Sequence, residues 1–160
     1  MTPPMSLLHL FDVIRETILA TAAILTLAPA GQVSAPRAVE YGVCTVQAAR
    51  RHGIPWQRVA AIVHHESEWR PEARSQSNDW GLGQIHCPSK HCGKTPSPVE
   101  QAALLDGCTN LLYTAEMLRS KQRACKEDCG GGNYLRLYNP GSPTYQLAVQ
   151  RIERRIYQIF

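Results

Sequence analysis

Apolar residues recur at helical spacing along most of the chain. Val59, Ile62, Val63 and Glu66 share one helical face, and Pro55 suits the first turn of a helix that runs to about Glu66. If that face is buried, Glu66 points with the core, and both desolvation and the helix C-terminus favour its neutral form. A carboxyl protonated near neutral pH can act as a general acid. The alternative is a solvated glutamate at a frayed helix end.

The same spacing predicts further helices and only weak strand signals. Ser97-Pro98-Val99-Glu100 is a capping box that starts a helix to about Leu105. A polar loop, residues 70–86, follows the Glu66 helix. The chain is therefore expected to be mainly α, with little or no sheet. Further predicted helices cover residues 39–52, 108–124 and 134–138, and a last helix begins at Ser142-Pro143 with the apolar stripe Tyr145, Val149, Ile152, Ile156 and Ile159.

An uncharged apolar run, Ile18 to Ala30, precedes these helices. It is short for a membrane span, and it has the length of a signal-peptide h-region ending in Ala28-Pro29-Ala30, a cleavage-site pattern. Because Arg15 is offset by Asp12 and Glu16, an uncleaved anchor is the alternative. We expect a signal peptide or anchor over residues 1–30, a linker over 31–38 and one domain over 39–160. The protein would then be periplasmic or secreted.

Composition adds little, but the cysteines fit export. A chain of 160 residues encloses one core, and a net charge of +4 without interleaved basic and aromatic runs does not indicate nucleic acid. An even number of cysteines in an exported domain predicts disulfides, with fifteen possible connectivities. Zinc bound by His86-Cys87 and His91-Cys92 is the alternative, and export favours disulfides, so no metal is expected. The six cysteines are Cys44, Cys87, Cys92, Cys108, Cys125 and Cys129.

Several short motifs follow one another along the chain. Glu66-Ser67 is followed by Gly81-Leu82-Gly83-Gln84-Ile85, then by Tyr138-Asn139-Pro140-Gly141 and Tyr145. Their order resembles that of the lytic transglycosylases, a family of lysozyme-like enzymes. The resemblance covers about Val39 to Tyr157 and implies a lysozyme-like helical domain with an active-site cleft. Two positions depart from the family, which usually has methionine at Gly83 and alanine at Pro140. Gly83 would remove a side chain from the cleft wall.

The positions of Cys44 and Cys108 narrow the resemblance to the small transglycosylases that accompany secretion and conjugation machines. This resemblance implies a disulfide between Cys44 and Cys108. Each of the other two cysteine pairs either closes on itself or is cross-linked to the other. The implied partners are peptidoglycan strands and, beyond them, a secretion, conjugation or pilus assembly machine.

The resemblance implies that Glu66 protonates the MurNAc-GlcNAc β-1,4 bond of peptidoglycan without a cofactor. The 6-hydroxyl of the substrate would then attack and form a 1,6-anhydro end, which replaces a second protein carboxylate. Asp79 is the best candidate for such a carboxylate, although a turn or capping role suits it better. Trp69 and Trp80 either stack on sugars or lie in the core. The implied substrate-binding residues are Ser67, Ser75, Gly81, Leu82, Gln84, Tyr138, Asn139 and Tyr145.

Two other functions fit the same residues. A lysozyme-like muramidase would hydrolyse the same bond with water in place of the 6-hydroxyl. A non-catalytic wall-binding or assembly protein would use Glu66 only structurally. The products of digestion separate the first alternative from a transglycosylase, and the absence of lysis by the wild-type protein would indicate the second.

Overall fold

The computed structural model describes residues 6–125 and 130–160, and this part of the chain is mainly helical. The predicted fold class is confirmed, since the sheet is one antiparallel pair of two-residue strands, with Asp79 opposite His86. The elements in chain order are α1 (Leu7–Leu27), α2 (Ala35–His52), α3 (Trp56–Ser67), β1 (Asp79–Trp80), β2 (Ile85–His86), α4 (Pro98–Leu105), α5 (Gly107–Ala124), the 3-10 helix (Gly130–Leu137) and α6 (Tyr145–Ile159).

Helix α3 occupies the centre of the fold. The predicted face of Val59, Ile62 and Val63 is fully buried, and α3 packs against α1, α2, α5 and α6. The helix ends at Glu68, which has the left-handed φ of 52°. Glu66 therefore lies in the last turn of a helix that is surrounded on most of its length.

Three helix starts show how local chemistry sets the boundaries. The capping box of Ser97 and Glu100 is present as predicted. Helix α2 begins four residues before the predicted start, because the Ser34 side chain accepts a hydrogen bond from the Arg37 amide and Pro36 follows in the first turn. Helix α6 begins at Tyr145 and not at Ser142, since a turn occupies the residues between them.

Helix α1 contains most of the apolar run and packs along α2. Ala20, Ala23 and Ile24 are fully buried. A Cβ at Gly42 of α2 would lie 2.3 Å from the Thr21 hydroxyl, so the two helices approach closely there. Among the described residues, no helix is long and apolar enough to cross a membrane. Cleavage after Ala30 stays a prediction, and it would expose the surface of α2 that α1 covers.

The disulfides connect the elements around α3. Cys44 of α2 is bonded to Cys108 of α5 with a Cα–Cα distance of 5.3 Å, as the resemblance implied. Cys87 and Cys92 close on each other, with Cα atoms 5.6 Å apart, so their thiolates are not available to zinc. Cys125 is also disulfide-bonded, and Cys129 lies outside the described residues.

A charged pair fixes α6 against α3. The Arg58 guanidinium donates to the Glu153 carboxylate at 2.9 and 3.2 Å and to the Tyr134 hydroxyl at 3.2 Å. Glu153 is only 6 % exposed, and a buried carboxylate needs such a partner. This contact sets the position of α6, whose first residue reaches the end of α3.

Candidate active site

Glu66 is a half-buried carboxyl in the last turn of α3. Burial raises the pKa of Glu66 from 4.5 to about 7. The hydroxyl of Tyr145 donates to Glu66 Oε1 at 2.5 Å and opposes this rise, because it favours the ionised form. The negative charge of Asp79 adds a smaller increase in the pKa. The balance leaves Glu66 able to give and take a proton near neutral pH.

Tyr145 is held in place by two rings. It is 1 % exposed, the Tyr138 ring lies parallel to it at 6.0 Å between centroids, and the His65 ring meets it edge-on at 5.0 Å. Burial, and then the charge of Glu66, raise the pKa of Tyr145. Tyr145 therefore stays a hydrogen-bond donor to Glu66 over the whole range in which Glu66 titrates.

The turn from Gly81 to Gln84 is held by Asn110 of α5. The Asn110 side-chain amide donates to the Trp80 and Leu104 carbonyl oxygens at 3.0 and 2.7 Å, and its oxygen accepts from the Gly83 amide at 2.8 Å. Gly81 has a φ of 72°, and a Cβ there would lie 2.3 Å from the Asn110 side chain. Glycine at this position is thus required by both the backbone conformation and the close contact.

Gly83 leaves no gap in the wall of the site, in contrast to the expectation from the sequence. A Cβ at Gly83 would lie 1.9 Å from the Thr114 hydroxyl, so the Thr114 side chain fills that space. Tyr138 also contacts this residue, since its hydroxyl donates to the Gly83 carbonyl at 2.7 Å. Tyr138 therefore holds the turn in place, and its hydroxyl is not bonded to Glu66.

Gln84 ends the turn with a strained backbone and a fixed side chain. Its φ is 50°, a left-handed conformation that non-glycine residues adopt rarely. Its side-chain nitrogen, Nε2, donates to the Ala73 and Gly81 carbonyls at 3.2 and 3.0 Å. Because the nitrogen is engaged, Gln84 Oε1 is the atom it can offer to a sugar hydroxyl. The other non-glycine residues with positive φ in the described ranges are Glu68, Trp69 and Asn78, all in the same stretch of chain.

Asp79 is a second carboxylate close enough to affect Glu66. It lies on β1, where the Ser75 hydroxyl donates to Oδ2 at 2.5 Å and His86 Nδ1 lies 2.7 Å from Oδ1. His86 is the cross-strand partner of Asp79. Both carboxylate oxygens therefore have a protein partner, and Ser75, expected to bind substrate, is bonded to Asp79.

Three of the expected substrate-binding residues make contacts that stabilise the fold. Ser67 is buried, and its hydroxyl donates to the Val63 carbonyl at 3.2 Å. Leu82 is fully buried and anchors the turn in the core. Asn139 is exposed, and its carbonyl accepts from the Ser142 amide at 3.2 Å in the turn before α6.

Neither tryptophan offers a face for sugar stacking, so that interpretation is wrong and core burial is correct. Trp69 is fully buried and stacks on Tyr41 at 6.2 Å. Trp80 is 7 % exposed. The Arg74 guanidinium covers its ring at 4.0 Å, and its indole N–H donates to the Asn78 side chain at 2.8 Å.

Sequence reasoning missed the two α5 residues that shape the site, Asn110 and Thr114, and the pairing of Asp79 with His86. The α5 residues did leave a signal in the pattern. Asn110 and Thr114 lie four positions apart and are fully buried among the apolar residues of α5. Polar side chains on an apolar helical face need buried partners. Asn110 finds them in the backbone of Trp80, Gly83 and Leu104, and the Thr114 hydroxyl donates to the Asn110 carbonyl one turn earlier in α5.

Comparison with known proteins identifies the family. No curated protein and no solved structure matches the chain. A family model described as Transglycosylase SLT domain matches residues 43–151, about two thirds of the chain, and this range includes Glu66, the Gly81–Gln84 turn and Tyr145. The chain therefore belongs to the SLT transglycosylase domain family and is a lytic transglycosylase, an enzyme that acts on peptidoglycan.

Proposed function

We propose that the chain cleaves the MurNAc-GlcNAc β-1,4 bond with Glu66 as its one catalytic carboxyl and forms 1,6-anhydro-MurNAc ends. The observation that carries this proposal is the surroundings of Glu66. It is half-buried in the last turn of α3, it accepts from Tyr145, and its pKa of about 7 keeps a large protonated fraction at neutral pH.

In the first step Glu66 gives its proton to the glycosidic oxygen. The bond between that oxygen and C1 of MurNAc breaks, and positive charge develops on the sugar. Glu66 becomes a carboxylate, which the Tyr145 hydroxyl stabilises at 2.5 Å. The same donor is present before and after proton transfer, so it costs no rearrangement during the reaction.

In the second step the 6-hydroxyl of the same MurNAc attacks C1. The new C1–O6 bond closes the anhydro ring, and the hydroxyl proton passes to the Glu66 carboxylate, which restores the acid. No water enters and no second carboxylate is needed, because the nucleophile is already tethered to the sugar. Asp79 is occupied by Ser75 and His86, which supports a role in maintaining the site and not in attacking the sugar.

A muramidase is the second candidate, and one observation favours it. Asp79 lies near enough to raise the pKa of Glu66, and a carboxylate paired with a histidine can orient a water molecule. The two mechanisms use the same acid and differ only in the nucleophile that attacks C1. They therefore predict opposite effects of replacing Asp79: little loss of activity for the transglycosylase and a large loss for the muramidase.

The cellular setting is also part of the proposal. Disulfides in the described residues support a periplasmic or secreted enzyme, with residues 1–30 acting as a signal peptide or an uncleaved anchor. The Cys44–Cys108 bond supports a relation to the small transglycosylases that open the wall for secretion, conjugation or pilus assembly machines.

The test compares two isosteric variants on purified peptidoglycan. Glu66→Gln should lose roughly 10²–10⁴-fold of the rate or more, because an amide cannot donate the proton. Asp79→Asn should keep most of the activity, and its products should still carry anhydro ends. An equal collapse of both variants would support the muramidase, and full activity of Glu66→Gln would exclude Glu66 as the acid.

A further inference from the structure

A basic cleft lies beside the start of helix α3. Gly53, which lines the cleft, comes just before α3, and Glu66 lies in the last turn of that helix, roughly 15 Å along the axis from its first residue, Trp56. The cleft has a volume of about 700 Å³ between the C-terminal ends of α2 and α5. Its charged lining is one acid, Glu116, and five cations, Arg50, Arg51, Lys90, Arg119 and Arg123.

Part of this positive charge is not neutralised within the described residues. Arg50 pairs with Glu16 and Lys90 pairs with Glu116. Arg51 and Arg119 have no ion pair in the described ranges, and Glu127 and Asp128 lie outside them. Burial, together with the charges of Arg51, Lys90 and Arg123, lowers the pKa of His52 in the cleft. The charges of three separate elements therefore converge on one concave surface, which suits an anion.

The first half of α1 adjoins the basic cleft through Arg50. The Arg50 guanidinium donates to Glu16 at 2.8 Å and lies 3.4 Å from the His9 ring, so one arginine contacts α1 and also lines the cleft. The face of α1 that does not contact α2 carries exposed apolar side chains. We name as the apolar stripe Leu7, Leu8, Phe11, Ile14 and Ile18, which are 46–79 % exposed.

The apolar stripe has few charges of its own. Asp12 lies 3.8 Å from Arg15, and Glu16 is paired with Arg50. A helix with one exposed apolar face, joined through Arg50 to a cleft that holds arginines without an ion pair in the part of the chain that the structure describes, has the features of a helix that lies in a membrane interface. An anionic bilayer offers both hydrocarbon and phosphate at one surface.

We propose that the basic cleft and the apolar stripe dock on the anionic surface of a lipid bilayer. The phosphate headgroups occupy the basic cleft, and the apolar stripe of α1 enters the boundary of the acyl chains. Guanidinium groups suit this role because their planar donors match phosphate oxygens. The docking requires that α1 be retained, and it leaves Glu66 at the opposite end of α3, away from the bilayer.

The experiment measures co-sedimentation of the full chain with vesicles. Vesicles that contain phosphatidylglycerol in phosphatidylcholine should bind the protein, and vesicles of phosphatidylcholine alone should bind it at least tenfold more weakly. Arg51→Gln with Arg119→Gln should lower binding about 30-fold, since each cation near an anionic surface contributes about fivefold. The charge-matched control, Arg151→Gln with Arg154→Gln on exposed positions of α6, should bind like the wild type.

A second pair of variants tests the apolar stripe. Leu8→Ser with Phe11→Ser should lower binding at least tenfold, and the exposure of both side chains means that folding should be preserved. Equal binding to both kinds of vesicle, or no effect of the arginine pair beyond that of the α6 control, would overturn the proposal. Normal binding by the serine pair would also overturn it. So would a wild-type chain that is a dimer and does not bind vesicles, if the serine pair were a monomer, because the apolar stripe would then be a contact between two copies of the chain.

Discussion

Replacing Glu66 with glutamine should stabilise the folded protein more as the pH rises. The pKa of Glu66 rises from 4.5 to about 7 on folding, first because of burial, so the folded state holds this proton more tightly than the unfolded chain. The stability that Glu66 contributes is complete below about pH 4.5 and is lost as the pH rises through about 7. Above pH 7 the wild-type protein must keep a charge in a half-buried site, and the glutamine variant does not.

The size of this effect follows from the two pKa values. At about 1.4 kcal/mol for each pH unit, the separation between 4.5 and about 7 corresponds to at most about 3–4 kcal/mol. Between pH 5 and pH 8.5 the unfolding free energy of Glu66→Gln relative to wild type should increase by roughly 2–3 kcal/mol. The hydrogen bond from Tyr145 to the ionised form is already included in the pKa of about 7. Any difference between the protonated carboxyl and the amide is the same at both pH values and cancels in the comparison.

Urea denaturation followed by tryptophan fluorescence at both pH values measures this change. Glu72→Gln is the matched control, because Glu72 is an exposed carboxylate a few residues further along the chain. It makes the same change of carboxylate to amide at an exposed position, so the comparison isolates the effect of burial at Glu66. A Glu66→Gln curve that runs parallel to this control would show that the carboxyl is not desolvated, and the argument for a protonated acid would fail.

Three further predictions concern Tyr145, Gly83 and the Cys44–Cys108 disulfide. Tyr145→Phe removes a hydrogen bond that lowers the pKa of Glu66, so activity should fall and the alkaline limb of its pH profile should move to higher pH; an unmoved limb would contradict the contact. Gly83→Met places a Cβ 1.9 Å from the Thr114 hydroxyl and should cost about 1–3 kcal/mol of stability, which Thr114→Ala should partly restore in thermal melts. Cys44→Ser with Cys108→Ser opens a cross-link between residues 64 positions apart and should lower the unfolding free energy by about 4 kcal/mol; a loss equal to that of reducing Cys87–Cys92, which closes a much shorter loop, would contradict the chain-entropy account.

The position of Glu66 could be predicted because it depends on local spacing. Val59, Ile62 and Val63 define a buried face within two turns of helix, and Glu66 continues that face. The capping box of α4 is equally local. In each case the residues that determine the structure are neighbours in the sequence, so the sequence alone predicts them.

The partners of Glu66 could not be predicted in the same way. Asp79 meets His86 only because a short hairpin brings them together, and Asn110 reaches the Gly81–Gln84 turn from a helix far along the chain. The burial of the two tryptophans also depends on residues that are distant in the sequence. Nothing in the local sequence distinguishes a tryptophan that stacks on a sugar from Trp69, which Tyr41 covers in the core.

The apolar run in α1 shows a different limit. An apolar stretch that ends in small residues has the pattern of a signal-peptide h-region, and it equally suits a helix that buries Ala20, Ala23 and Ile24 against α2. A signal-peptide h-region and a helix packed closely on another helix both require small and aliphatic side chains. The close approach of Gly42 to Thr21 could not be predicted, because it depends on two distant parts of the chain. Cleavage of residues 1–30 stays a prediction.

Digestion of purified peptidoglycan in water enriched in oxygen-18 tests the central claim most directly. If Glu66 acts alone and the substrate's 6-hydroxyl attacks, mass spectrometry should show new MurNAc ends that lack one water and carry no label. Glu66→Gln should produce these ends at least about 10²-fold more slowly. Reducing ends that carry one labelled oxygen in the wild-type digest would contradict the account and identify water, positioned by a second group such as Asp79, as the nucleophile.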